Sequence, residues 1–168
     1  METDIVVYDT NILIDILDME ILEVCEKLGL HIHTTSLVCD EIEDEQQWAK
    51  IAEHLNISIF AYDDLEQYSN LQIFISQFQH KSNLSMPDFS VLKLAKELSV
   101  PLYTSDRRLR NISIQTGVET HGSLHIVVLL NKAGLLSKEN AIKALELLRK
   151  NNQRISDNHI GNVIEQLI

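Results

Sequence analysis

Ile5-Val6-Val7-Tyr8-Asp9-Thr10-Asn11 is the stretch that decides the fold. Its first four residues are β-branched or aromatic with no polar alternation, the mark of a strand buried on both faces. Ile12, Leu13, Ile16 and Leu17 take up helical spacing directly after it. A buried parallel strand that runs straight into a helix puts Asp9 at the carboxyl end of a sheet, where open α/β proteins build their sites.

Working outward, the helical pattern continues to about Leu28, with Asp18 a candidate cap for a second segment and Gly29 its end. Leu30 to Thr35 is a second predicted strand. Ser36 is predicted to cap a helix carrying Leu37, Val38, Glu41 and Ile42, and the polar run Glu43 to Asn56 to continue it. Ile57 to Phe60 is a third strand, and Asp63 or Asp64 starts a helix through Leu71, Ile75 and Phe78 that ends in a turn at His80-Lys81-Ser82-Asn83. Ser85-Met86-Pro87-Asp88 combines a capping serine, an early proline and an acid three residues on, a strong helix start. Val100 to Thr104 and Val118 to His121 are the remaining strands. Helices are predicted after Asp106, over Leu124 to Ala133, near Lys138 to Asn151 and over Asp157 to Leu167. Strands alternating with helices imply an α/β fold with a mostly parallel sheet of about five strands, covered on both faces.

A length of 168 residues suits one domain, residues 1–168, with a full core. Asp and Glu total 25 against 14 Lys and Arg, a net charge of -11, which argues against a broad basic face for nucleic acid. It leaves room for a nuclease, because clustered carboxylates raise the count and bound cations offset them. It would also attract a basic protein partner. Cys25 and Cys39 lack metal or redox spacing and read as reduced. No leader or membrane segment is evident, so a cytoplasmic location is expected.

Each candidate acid also has an ordinary explanation. Asp9 is a turn-forming aspartate bonded to the amides after it, or a ligand at the sheet edge. Asp88 supports a capping box and the helix dipole, yet helical counting places it on the inward stripe of Val91, Leu92 and Ala95. Within Asp40-Glu41-Ile42-Glu43-Asp44-Glu45, most of the run is a solvated helix face. Glu41 and Glu45 fall on the apolar side, and Glu41 is nearer the strand. Asp106 is an N-cap at the end of the fourth strand. Acids gathered at one edge repel by about 4 kcal/mol per pair at 4 Å and an effective dielectric of ~20. Protons or a cation must relieve this, and oxygen ligands without His or Cys select Mg²⁺ or Mn²⁺. His31 and His33 lack a third ligand and read as strand surface, His121 and His125 lie across a turn and read as structural, and Trp48 and Tyr62 read as core.

Taken together, Val7-Tyr8-Asp9-Thr10-Asn11, Glu41, Asp88 heading Phe89-Ser90-Val91-Leu92, Tyr103-Thr104-Ser105-Asp106-Arg107-Arg108-Leu109-Arg110 and Gly117-Val118-Glu119-Thr120-His121-Gly122-Ser123-Leu124 resemble the PIN-domain nucleases. That family includes the VapC-type toxins of bacterial toxin–antitoxin pairs. The tail from Gly134 through Arg154-Ile155-Ser156 resembles the longer members, a C-terminal helical extension over about 135–168. The resemblance implies a three-layer α/β/α fold and an endoribonuclease dependent on Mg²⁺ or Mn²⁺. It implies Asp9, Glu41, Asp88 and Asp106 as the catalytic, metal-holding acids, with Asn11 and Thr104 orienting them by hydrogen bonds. It further implies an RNA substrate, a homodimer and an antitoxin partner. Arg107, Arg108 and Arg110 would hold flanking phosphates, or else form a solvated helix face. Two alternatives stand beside it. One is a PIN-like module that binds RNA or protein without cutting. The other is a haloacid-dehalogenase-like phosphatase with Asp9 as nucleophile, although Asn11 stands where that chemistry needs a second acid.

Overall fold

The computed structural model describes residues 4–78, 83–152 and 154–168. In chain order the elements begin with β1 (Ile5–Tyr8), α1 (Thr10–Asp18), α2 (Leu22–Glu26), β2 (His31–Thr35), α3 (Ser36–Cys39), α4 (Glu45–His54) and β3 (Ile57–Phe60). Next come α5 (Leu65–Ser76), α6 (Met86–Leu98), β4 (Leu102–Tyr103), α7 (Arg107–Gln115) and β5 (Thr120–His121). The chain closes with α8 (Ser123–Lys132), α9 (Lys138–Asn151) and α10 (Asp157–Gln166). The turn expected at His80-Lys81-Ser82 lies outside the described residues.

All five strands are parallel, in the order β3-β2-β1-β4-β5. The chain steps outward from β1 through β2 to β3, then returns to the other side of β1 as β4. The β1/β4 seam is therefore where the strand order reverses, the position at which such sheets open a crevice. Val7 pairs with Leu102 and Tyr8 with Tyr103, which brings the residues just beyond, Asp9 and Thr104, side by side. Strand side chains alternate between two cores. Val6, Tyr8, Ile32 and Tyr103 pack with α1, α2, α4, α8, α9 and α10, while Val7 and Leu102 pack with α3, α5, α6 and α7. This is the three-layer α/β/α arrangement. Leu145 and Leu148 of α9 and Ile160 and Val163 of α10 join the same core as α1 and α8, so the C-terminal helices are packed onto the sheet's covering layer. Among the described residues, no helix is long and apolar enough to cross a membrane.

Local chemistry corrects several boundaries. Asp18 ends α1 instead of capping the next helix: Met19 is buried, Glu20 takes a left-handed φ of 56°, and α2 starts at Leu22, with Ile21 at the cap position giving no side-chain hydrogen bond. Thr35, not Ser36, caps α3 by accepting from the Val38 amide, and Ser36 Oγ instead accepts the Tyr62 amide at 2.9 Å. The helix expected from Ser36 to Asn56 is two. Asp44 accepts the amides of Gln46 and Gln47 at 2.9 and 3.2 Å and so begins a new helix. A carboxylate able to satisfy two orphan amides outcompetes helix continuation at that point.

A candidate active site at the carboxyl edge of the sheet

Asp9 is 2% exposed and caps α1. Its Oδ1 accepts the Thr10 amide at 2.8 Å; its Oδ2 accepts Asn11 Nδ2 at 3.0 Å and the Thr104 hydroxyl at 2.9 Å. Its backbone amide donates to Tyr103 O at 3.0 Å, which fixes it to the β1/β4 seam. Asn11 Oδ1 in turn accepts the Ser105 amide at 2.8 Å. Asn11 and Thr104 therefore both bond Asp9 and hold the loops after β1 and β4 together. Burial pushes the Asp9 carboxyl up to about 7, and the charges of Asp88 and Glu41 add to the rise. The Thr104 and Thr10 hydrogen bonds pull the other way without restoring the ordinary value.

Asp9, Glu41 and Asp88 line one open cavity of about 430 Å³. Asp88 is half-buried; its Oδ2 accepts the Ser85 amide at 2.8 Å while Ser85 Oγ accepts the Asp88 amide, completing the capping box of α6. Glu41 is exposed and does not sit on a helix as expected. It occupies the turn after α3, and its Oε1 accepts the Thr10 hydroxyl at 2.7 Å. The helical count that paired it with Glu45 does not apply, because Glu45 opens α4.

Asp106 is not among the residues lining this cavity. It caps α7, its Oδ1 accepting the amides of Arg108 and Leu109 at 2.7 and 3.1 Å. It remains coupled to Asp9 through one hydroxyl, since its amide donates to the same Thr104 Oγ1 at 3.1 Å. The three arginines divide. Arg107 and Arg110 line a neighbouring cavity of about 580 Å³, and Arg108 is exposed and lines neither.

Sequence reading missed Asp15. It is 3% exposed and accepts the Ser105 hydroxyl at 2.7 Å and Asn152 Nδ2 at 3.3 Å, tying α1, the β4 loop and the end of α9 together. Asp18 lines the same cavity. The signal was present in the spacing of Asn11, Asp15 and Asp18 at i, i+4 and i+7, which share one helix face. Replacing Asp15 with alanine strands two polar partners, and about 2 kcal/mol of stability should be lost. Urea denaturation measures this; an unchanged midpoint would mean that the two bonds are dispensable.

The donor chemistry suits a hard divalent cation, being oxygen throughout. Glu41 Oε2, Asp88 Oδ1 and Asp106 Oδ2 carry no protein hydrogen bond among the described residues. The spacing is open: among the described residues no three His, Cys, Asp or Glu side chains are close enough to hold a metal ion as they stand. Glu41 is exposed and Asp88 only half-buried, each held through one oxygen.

His31 and His33 lie 4.7 Å apart on β2, with His31 Nε2 2.8 Å from Ser58 Oγ, a strand-surface role. His121 and His125 stack at 4.0 Å. Residues 5–168 match the model of a protein family described as a PIN domain. No curated protein matches the chain.

Proposed function

Because the chain belongs to the PIN-domain family, whose fold is generally that of a nuclease, we propose that its carboxylate edge is the active site of a metal-dependent endoribonuclease. The observation that carries this reading is the buried Asp9 carboxyl, held by Asn11 and Thr104 at the reversal point of the sheet, in one cavity with Asp88 and Glu41. Asp9, Glu41, Asp88 and Asp106 would hold Mg²⁺ or Mn²⁺, which when bound lowers the pKa of water and neutralises charge on a phosphodiester. The chain's own contribution is orientation. The Thr104 hydroxyl and Asn11 amide fix the Asp9 carboxylate plane, and Thr10 holds one oxygen of Glu41, leaving the other free. Asn11 donates to Asp9 and has no proton to give a leaving group, which speaks against the phosphatase alternative. A homodimer, a basic antitoxin partner and a cytoplasmic setting fit the family and the net charge of -11 and belong to the same proposal.

The test is incubation of the purified protein with mixed single-stranded RNAs, structured RNAs and single-stranded DNA, with Mn²⁺, Mg²⁺ or EDTA. Fragments of defined ends are expected from RNA with either ion and none with EDTA. Intact RNA in every metal-containing reaction would overturn the reading and leave a binding module.

A further inference from the structure

The cavity beside the carboxylates has the opposite charge. Arg107, Arg110 and Arg154 line it with His125 and His159, and among the described residues no Asp or Glu does. In a chain with 25 acids and 14 Lys and Arg, three arginines around one acid-free hollow are a strong local departure. None of the three forms an ion pair among the described residues, whereas Arg149, nearby in sequence, is paired with Asp157. Arg110 is held in place: its Nη2 donates to Thr104 O at 3.1 Å, and its Nε is buried with no partner. Gly122 makes room for this arrangement, because a Cβ there would stand 2.5 Å from Arg110 Nη2.

Arg154 is the link. It lines both the arginine cavity and the carboxylate cavity, and it belongs to the segment between α9 and α10. Asn152, two residues before it, is bonded to the buried Asp15, and the Asn152 Oδ1 accepts the Arg154 amide at 3.1 Å. The C-terminal extension thus forms the shared wall between a hollow that repels phosphate unless a cation is bound and one that attracts it outright.

We propose that the arginine cavity is a phosphate subsite in which Arg107, Arg110 and Arg154 grip the backbone of a single-stranded nucleic acid whose adjoining nucleotides lie at the carboxylates. The C-terminal extension is then part of the substrate cleft. This rests on the nuclease reading of the carboxylate cavity for its orientation, not for the binding itself. Arginine suits the role because its fork bonds two phosphate oxygens at once and stays charged at any working pH.

The test is binding of a fluorescent oligouridine of about ten nucleotides, a length suited to one single-strand groove, by anisotropy in EDTA across a salt series. Arg107→Gln and Arg154→Gln should each weaken binding by roughly tenfold and flatten the dependence of log K on log salt by about 0.7. Gly122→Ala should do the same by displacing Arg110 from Thr104, and Arg154→Lys should recover part of the loss. Lys143→Gln, an equal change of charge at the exposed Lys143–Glu139 pair, is the control and should bind as the unaltered protein does. Arg154 is exposed, and thermal melts should show its variants folded. Binding and salt slope of Arg154→Gln equal to those of Lys143→Gln would overturn the subsite, as would failure of the unaltered protein to bind the oligonucleotide. Arginine-dependent binding without cleavage in Mn²⁺ would uphold the subsite and remove the nuclease. Cleavage with binding indifferent to Arg154 would do the reverse.

Discussion

Asp88→Asn is expected to lower metal-dependent RNA cleavage by on the order of a hundredfold to a thousandfold, the usual loss when one preorganised electrostatic group is removed from a reacting centre. The fold should survive, and for a reason visible in the capping box. Ser85's amide donates to Asp88 Oδ2 and the Asp88 amide donates back to Ser85 Oγ. An asparagine keeps an oxygen for the first bond and leaves the second untouched. Only the negative charge facing Asp9 goes, together with the oxygen that has no protein partner. Circular dichroism and the melting temperature should therefore match those of the unaltered protein within a degree or two, while RNA fragments disappear. Retained activity would remove Asp88 from the site; a collapsed fold would mean that its capping role dominates.

The second large effect is on stability against pH in the absence of divalent metal. Asp9 has its folded-state pKa raised from 3.8 to about 7. A raised carboxyl contributes stability that is present in full below about 3.8, is lost progressively as pH rises, and is gone above about 7. At 1.36 kcal/mol per pH unit the span amounts to about 4 kcal/mol, an upper figure because other carboxylates titrate in the opposite sense. The clean observable is the difference in unfolding free energy between the unaltered protein and Asp9→Asn, measured in urea with EDTA between pH 4 and pH 8. It should shift by several kcal/mol in favour of Asp9→Asn as pH rises. Added Mn²⁺ should cancel much of that shift in the unaltered protein and none of it in Asp9→Asn. A difference that stays flat with pH would mean that Asp9 ionises in the folded state as it does in water.

Much of the fold was legible because the strands are short β-branched and aromatic runs set between helical patterns, buried at the centre in Val6–Tyr8 and partly exposed at the edge in Ile57–Phe60. Ile5–Tyr8 and Ile57–Phe60 end where the sequence pattern says they should, and α6 begins on its capping serine. The errors fell where two polar residues compete for the same amides. Thr35 displaced Ser36 as a cap, and Asp44 broke a helix that hydrophobic spacing alone would carry through. The placement of the candidate acids in the fold was legible to a similar depth. Asp9, Asp88 and Asp106 each serve their ordinary capping role, and that role is what sets three acids at helix starts on one edge of a parallel sheet. Asp15 escaped notice because its spacing with Asn11 and Asp18 marks a polar helix face without naming the partners that bury it, Ser105 and Asn152, far along the chain. The Arg110 tether was beyond reach as well, since it depends on a backbone carbonyl in another element.

The central strand can complete its pairing only with residues made almost a hundred positions later, at Leu102 and Tyr103. Until then Asp9 lacks the Thr104 hydroxyl that orients it, and the segment carrying Asn152 and Arg154 is later still. A partly synthesised chain thus lacks contacts that only later segments supply. The carboxylate edge therefore takes its described form only once Thr104 and the segment carrying Asn152 have folded against it.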